Sequence, residues 1–147
     1  MLVFLAAALL ATAGGVRSFP QDGVIRLDAA WAPPARAGED ARVYLTVANL
    51  GRIPFAVLET RTGVADSVGA VGLGATGPDG AAMPSAFAVM PSQALIMVPG
   101  GKHLVLHRLR RALRPGDRFL LKLRCVGDMT MSVEVEVRSS PKPVTLS

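Results

Sequence analysis

The sequence predicts an all-β protein, a single-domain antiparallel β-barrel or sandwich of seven or eight short strands. Three observations predict it. Residues 129–137 alternate, with Met129, Met131, Val133, Val135 and Val137 on one side and Thr130, Ser132, Glu134 and Glu136 on the other, which is the period-two pattern of a half-buried antiparallel strand. Phe119, Leu121, Leu123 and Cys125 repeat the pattern opposite Leu120, Lys122 and Arg124. Turn signals also recur at close spacing along the chain, as they do in sandwiches and small barrels.

The elements follow in order. Residues 2–13 form an almost unbroken apolar run, and Ala11-Thr12-Ala13 fits a small-x-small cleavage site. A signal peptide helix is expected over residues 1–13, with a mature, exported chain starting at Gly14. The run falls short of the ~20 residues of a membrane span. No Lys or Arg precedes it, so an uncleaved anchor or a buried N-terminal helix stays open as the alternative. Residues 24–31 mix β-formers and stop at Pro33-Pro34, where regular structure ends. In residues 42–48, Val43, Leu45 and Val47 face one way and Tyr44 and Thr46 the other. Gly51 and Pro54 bracket a turn before a short strand over 55–60. The Gly-, Ala- and Ser-rich stretch 63–80 holds one short strand near 68–73, and 94–98 is another. Pro99-Gly100-Gly101 turns the chain into residues 102–109, where His103, Val105, His107 and Leu109 share a face. Arg114-Pro115-Gly116-Asp117 is a turn in which Pro sets φ and Gly accepts a positive one. The tail, residues 139–147, is short, polar and loose.

Composition excludes several function classes. Cys125 is the only cysteine, so there is no intrachain disulfide. No C-x-x-C or Cys/His cluster occurs, which argues against structural zinc and thiol redox chemistry. The formal net charge is +5, with much of the excess in Arg108, Arg110, Arg111, Arg114 and Arg118. These form either a patch for docking an acidic partner or an anionic membrane surface, or, as expected here, a solvated loop and strand edge. Nucleic acid is not expected as a partner, because aromatics are few and no base-stacking pattern accompanies the arginines. No enzyme is expected either. There is no G-x-S-x-G elbow and no strand–turn–helix unit. Asp79 and Asp117 sit in turns, where Asp serves the backbone. A hydrolase would need an acidic partner within reach of His103.

Metal chemistry is the remaining candidate. The carboxylates are scattered, which argues against a hard oxygen-rich site. Softer donors are better represented: His103, His107, Cys125, Met83, Met90, Met97, Met129 and Met131. Imidazole and thioether together suit Cu(I). His103 and His107 lie about 13 Å apart along a regular strand and cannot hold one ion together, so His107 reads as a rim residue. Met129 and Met131 fall on an apolar strand face and read as core. Cys125 reads as a buried free thiol, and Met90 and Met97 as packing or loop residues. Met83, in a flexible Ala/Pro/Ser context, is balanced between ligand and loop residue.

Four blocks carry a resemblance. Ala30-Trp31-Ala32-Pro33-Pro34 is the first, and Val43-Tyr44-Leu45-Thr46-Val47-Ala48-Asn49-Leu50-Gly51 the second. The third joins Pro99-Gly100-Gly101-Lys102-His103-Leu104 to Leu109, Leu113 and Gly116-Asp117, and the fourth is Val133-Glu134-Val135. In this order they resemble the periplasmic copper(I) chaperones called PCu(A)C, which read A-W-A-R-P, then A-Y-L-T-I-x-N-x-G, then P-G-G-x-H-L-M-L-x-G-L-x-x-x-L-x-x-G-D. The likeness spans about residues 24–137. It implies a cupredoxin-like β-barrel over 24–138, a periplasmic location, and Cu(I) bound at one end for delivery to an acceptor protein such as a respiratory oxidase copper centre. The family's ligands are a His followed two residues later by Met, a further Met, and a His-x-Met pair. In this chain the last His falls on His103 and its Met on Val105. The first His falls on Gly74 and its companion on Thr76, and the middle Met corresponds to Met83. The resemblance therefore implies a reduced ligand set of His103 and Met83, releasing copper by ligand exchange. The alternative is a metal-free periplasmic binding or assembly module, using the same scaffold and the basic edge. Contact with a membrane is expected only through an uncleaved signal.

Overall fold

The structure is a computed structural model that describes residues 24–73 and 86–141. Residues 1–23, with the expected signal segment, lie outside these residues, as do Gly74, Thr76, Met83 and the end of the tail. Nine strands are present among the described residues: β1 Ile25–Ala32, β2 Ala41–Asn49, β3 Phe55–Thr62, β4 Ala65–Val71, β5 Phe87–Val89, β6 Ala94–Ile96, β7 His103–Leu109, β8 Arg118–Cys125 and β9 Met129–Val137. They form one sheet in the order β4-β7-β2-β1-β9-β8-β3-β5, with β6 also on β2. β3 ends at Thr62 and β4 begins at Ala65, so a short turn brings β4, at one end of this path, beside β3, next to the other end. The sheet curls into a nearly closed barrel, the all-β architecture the alternation predicts. Pairing is antiparallel except between β1 and β9, where Trp31 meets Glu136 and Ala32 meets Val137 in parallel.

The clearest sequence pattern makes the most regular pair. β8 and β9 run in unbroken register from Arg118↔Glu136 to Cys125↔Met129, and Leu121, Leu123 and Val135 are sealed from water. Val43, Val47, Leu104 and Leu106 complete the same core from β2 and β7. β6 and β7 lie end to end along one edge of β2. β6 pairs with Thr46 to Ala48, and β7 pairs with Ala41 to Val43. The intervening Pro-Gly-Gly loop is thus an excursion from what is otherwise one continuous edge.

Three local departures from simple alternation matter for the site. In β1, Asp28 opposes Thr46 but Trp31 opposes Tyr44, so one extra residue is inserted. Ala29 takes a positive φ of 53° there. A bulge of this kind flips every later side chain to the other face, and it turns Trp31 from the interior side onto Tyr44. In β2, Tyr44 and Thr46 point away from Val43 yet are also buried. Both faces of this strand are covered, where alternation alone suggested one. In β7, Leu109 does not share a face with His103, Val105 and His107 as expected. Arg108 adopts a φ of 57°, so His107 and Arg108 both face solvent and Leu109 turns into the core. β5 carries no sequence signal because three residues show no period. β4 begins three residues earlier than its Val68 start in the sequence reading.

Cys125 is buried on the interior face of β8, with its thiol against the Leu123 carbonyl at 3.5 Å. Burial pushes its pKa up from 9.0 to about 11. A buried, protonated thiol is a poor nucleophile, so a thiol-reactive disulfide reagent is expected to leave it unmodified in the native chain and to modify it once urea unfolds the protein. Because the folded pKa is the higher one, the thiol's contribution to stability is intact below pH 9 and falls as pH rises toward about 11.

Candidate metal centre

His103 opens β7 directly after a tight turn. The Gly101 amide donates to the Val98 carbonyl at 2.9 Å, with Pro99 and Gly100 between them. Gly100 has a φ of +84°, so this is the Pro-Gly form of a turn that needs a positive φ at its third residue. The Val98 amide donates to the Lys102 carbonyl at 3.2 Å and closes the loop. A side chain at Gly101 would come within 3.1 Å of Val98 Cγ2. The loop therefore requires glycine for both shape and space.

The imidazole of His103 is held from two sides. Its Nδ1 lies 2.8 Å from the Gly101 carbonyl oxygen. A carbonyl can only accept, so Nδ1 carries the hydrogen, and in the neutral ring Nε2 is then the nitrogen with the lone pair. This is the arrangement that orients metal-binding histidines, one nitrogen tied to a backbone carbonyl and the other free. The ring also meets Tyr44 edge-on at 6.0 Å between centroids, and Tyr44 packs on Trp31 at 5.0 Å. The β1 bulge is what makes this row of rings possible, because without it Trp31 would face the core.

His103 and Val105 line a groove of about 520 Å³ with Pro33, Pro34, Asp40 and Arg42. His107 stands at the far edge of the same groove, exposed, its Nδ1 3.5 Å from Asp40 Oδ2. That is the rim position expected for it. The Arg108 backbone amide donates to Asp40 at 2.9 Å. This bond first, and then His107, hold the Asp40 carboxyl below its ordinary pKa. Among the described residues no cluster of three or more His, Cys, Asp or Glu could hold a metal ion.

The described sulfurs take the core and loop positions expected of them. Met131 and Met97 are buried in the core, and Met129 packs against it. Met97 comes nearest along the chain, but it sits opposite Leu45 on the interior side while His103 faces outward. Met129 lies seven positions along β9 from the Glu136 level that Trp31 marks, about 23 Å at strand rise. Met90 is half exposed, at 50%. It follows β5 at the Asn49 end of β2, five positions from Tyr44 and about 17 Å away by the same measure. Met83 lies outside the described residues. The segment that carries it continues from Leu73, two residues past Val71, the cross-strand partner of His103.

The arginine edge is largely neutralised within the fold. Asp66 takes Arg108 and Arg110 at 3.2 Å each, Arg111 lies 3.7 Å from Asp117, and Arg118 lies 3.3 Å from Glu134. These are exposed pairs worth ~0–1 kcal/mol each. They read as a solvated strand edge more than as an open docking patch.

No protein-family model and no curated protein matches the chain. Solved structures do. The apo PCuAC domain from PmoF1 is 17% identical with a TM-score of 0.67, covering 80% of this chain and 96% of that one. The copper-bound PCuAC domain from PmoF2 is 20% identical with a TM-score of 0.67, covering 80% and 95%. The solution structure of the Cu(I) form of DR1885 from Deinococcus radiodurans is 21% identical with a TM-score of 0.58, covering 90% and 88%. At these identities the likeness speaks for architecture, and the nearly closed nine-stranded barrel described above is a divergent PCuAC-like fold.

Proposed function

We propose that the protein binds Cu(I) and passes it on, with His103 as its nitrogen donor and Met83 as its sulfur donor. The observation that supports this best is the prepared imidazole: Nδ1 tied to Gly101, the ring braced by Tyr44, and Nε2 free at the edge of an open groove. Copper-bound forms of two proteins with this fold add to it. Imidazole with thioether is a donor pair that Cu(I) accepts. Two donors hold the ion loosely, so an acceptor with more ligands takes it by ligand exchange, an oxidase copper centre being one such acceptor. Export to a periplasm fits the same chemistry, because thioethers are not consumed by disulfide formation.

A second reading is a metal-free binding or assembly module. It is favoured by Val105, which lines the groove where a further sulfur would serve, and by the lack of any sulfur beside His103 among the described residues. Titration of the full chain with Cu(I) against a competing chelator separates the two. His103→Ala is expected to weaken binding about 100-fold and Met83→Leu about tenfold, both with unchanged circular dichroism. Equal and weak uptake by all three proteins would leave the metal-free module.

A further inference from the structure

Most arginines on the strands are neutralised within the fold. Arg61, Arg108, Arg118 and Arg124 each hold a carboxylate within 3.3 Å. Arg42, on the outward face of β2, is exposed and has no hydrogen-bond or ion-pair partner among the described residues. Asp40, two residues earlier, does not supply one. Its Oδ1 accepts the Arg108 amide at 2.9 Å, and its Oδ2 lies 3.5 Å from His107, so the carboxylate is turned toward β7. An unpaired guanidinium is a planar fork of donors that matches a carboxylate in shape and charge.

This fork stands in a formed cavity. Arg42 lines the groove of about 520 Å³ beside His103, a volume that takes a small organic ligand. Pro33 and Pro34 on one side and Val105 on the other give it apolar walls. Arg42 is the cross-strand partner of Val105, and His103 lies two residues from Val105 on the same outward face. Diagonal neighbours of this kind are about 7–8 Å apart, so the guanidinium and the imidazole can reach one small molecule together. With Nδ1 bound to Gly101, Nε2 of the neutral ring is an acceptor. It repels a carboxylate oxygen and takes a hydroxyl or an amide N–H.

We propose that the groove binds a carboxylate whose adjacent carbon carries a hydrogen-bond donor. The carboxylate sits on Arg42, the donor on Nε2 of His103, and an apolar side chain lies between the two prolines and Val105. Free α-hydroxy acids and the C-terminal residue of a peptide share this chemistry. The site is independent of the copper reading, because Arg42 is not a metal donor and the ligand needs no metal.

Heteronuclear NMR of the metal-free full chain, following the Arg42 and Val105 amides, tests this. α-Hydroxyisocaproate is expected to shift both amides saturably, and its uncharged amide, α-hydroxyisocaproamide, is expected to leave them in place. Isocaproate, without the hydroxyl, is expected to bind about tenfold more weakly, and His103→Ala to remove that difference. Arg42→Lys keeps the charge without the fork and is expected to weaken binding about tenfold, while Arg42→Gln abolishes it. Far-ultraviolet circular dichroism is expected to stay unchanged in both, since the side chain is exposed. N-Acetylleucine presents the same groups as a peptide end. If it binds more tightly than the hydroxy acid, the groove is a site for peptide ends, and if more weakly, for free acids. No saturable shift from any of these acids, equal shifts from the uncharged amide, or full affinity in Arg42→Gln would overturn the site.

Discussion

A Val105→Met variant is expected to bind Cu(I) about tenfold to a hundredfold more tightly than the parent chain. Val105 is two residues from His103 on the same outward face of β7 and lines the same groove. Alternate side chains on one strand face start about 7 Å apart. An unbranched methionine has three rotatable bonds with which to bring its sulfur back toward the free Nε2. The position is half-buried, so the longer side chain extends along the groove without entering the core. Val105→Leu supplies similar bulk with no sulfur and is expected to leave affinity unchanged. Chelator competition measures both. An unchanged affinity for the methionine variant would mean that the groove beside His103 is not where copper sits.

Asn49→Ala is expected to cost about 2–4 kcal/mol of stability in urea unfolding followed by Trp31 fluorescence. Asn49 is 1% exposed and uses its whole side-chain amide. Its Nδ2 donates to the Ile53 carbonyl at 2.8 Å and the Val89 carbonyl at 2.9 Å, and its Oδ1 accepts the Gly51 amide at 2.9 Å. One side chain thus ties the end of β2 to the turn before β3 and to β5. Alanine leaves the Val89 carbonyl buried without this donor. Asn49→Asp keeps the contact to Gly51, loses both donors and buries a charge, so it is expected to be at least as damaging. A loss under about 0.5 kcal/mol for alanine would show that water replaces the amide freely.

Asn49 illustrates what was legible and what was not. In the sequence it belonged to a block carrying resemblance, with no physical role of its own. The role appears only when β5, too short to leave a period, is placed beside it. Long alternating segments were readable because one face of each meets the core, as in β8 and β9. Leu109 and Trp31 were misplaced or unplaced because single residues with positive φ, Arg108 and Ala29, invert the alternation, and neither is a residue type that announces such a backbone. The Pro-Gly-Gly entrance of His103 into β7 was readable from the sequence. The bond from its Nδ1 to Gly101, which decides which nitrogen is free, depends on loop geometry that no spacing encodes. The core role of Met131 followed from strand position, and the structure agrees; Met97, read only as a packing or loop residue, is also in the core.

Copper K-edge X-ray absorption on the Cu(I)-loaded full chain addresses the role of His103 most directly. The expected spectrum contains one imidazole, recognised by its outer-shell scattering, together with sulfur, and the imidazole signal disappears in His103→Ala. A copper shell of sulfur alone, or one that His103→Ala leaves unaltered, would contradict copper binding at this ring.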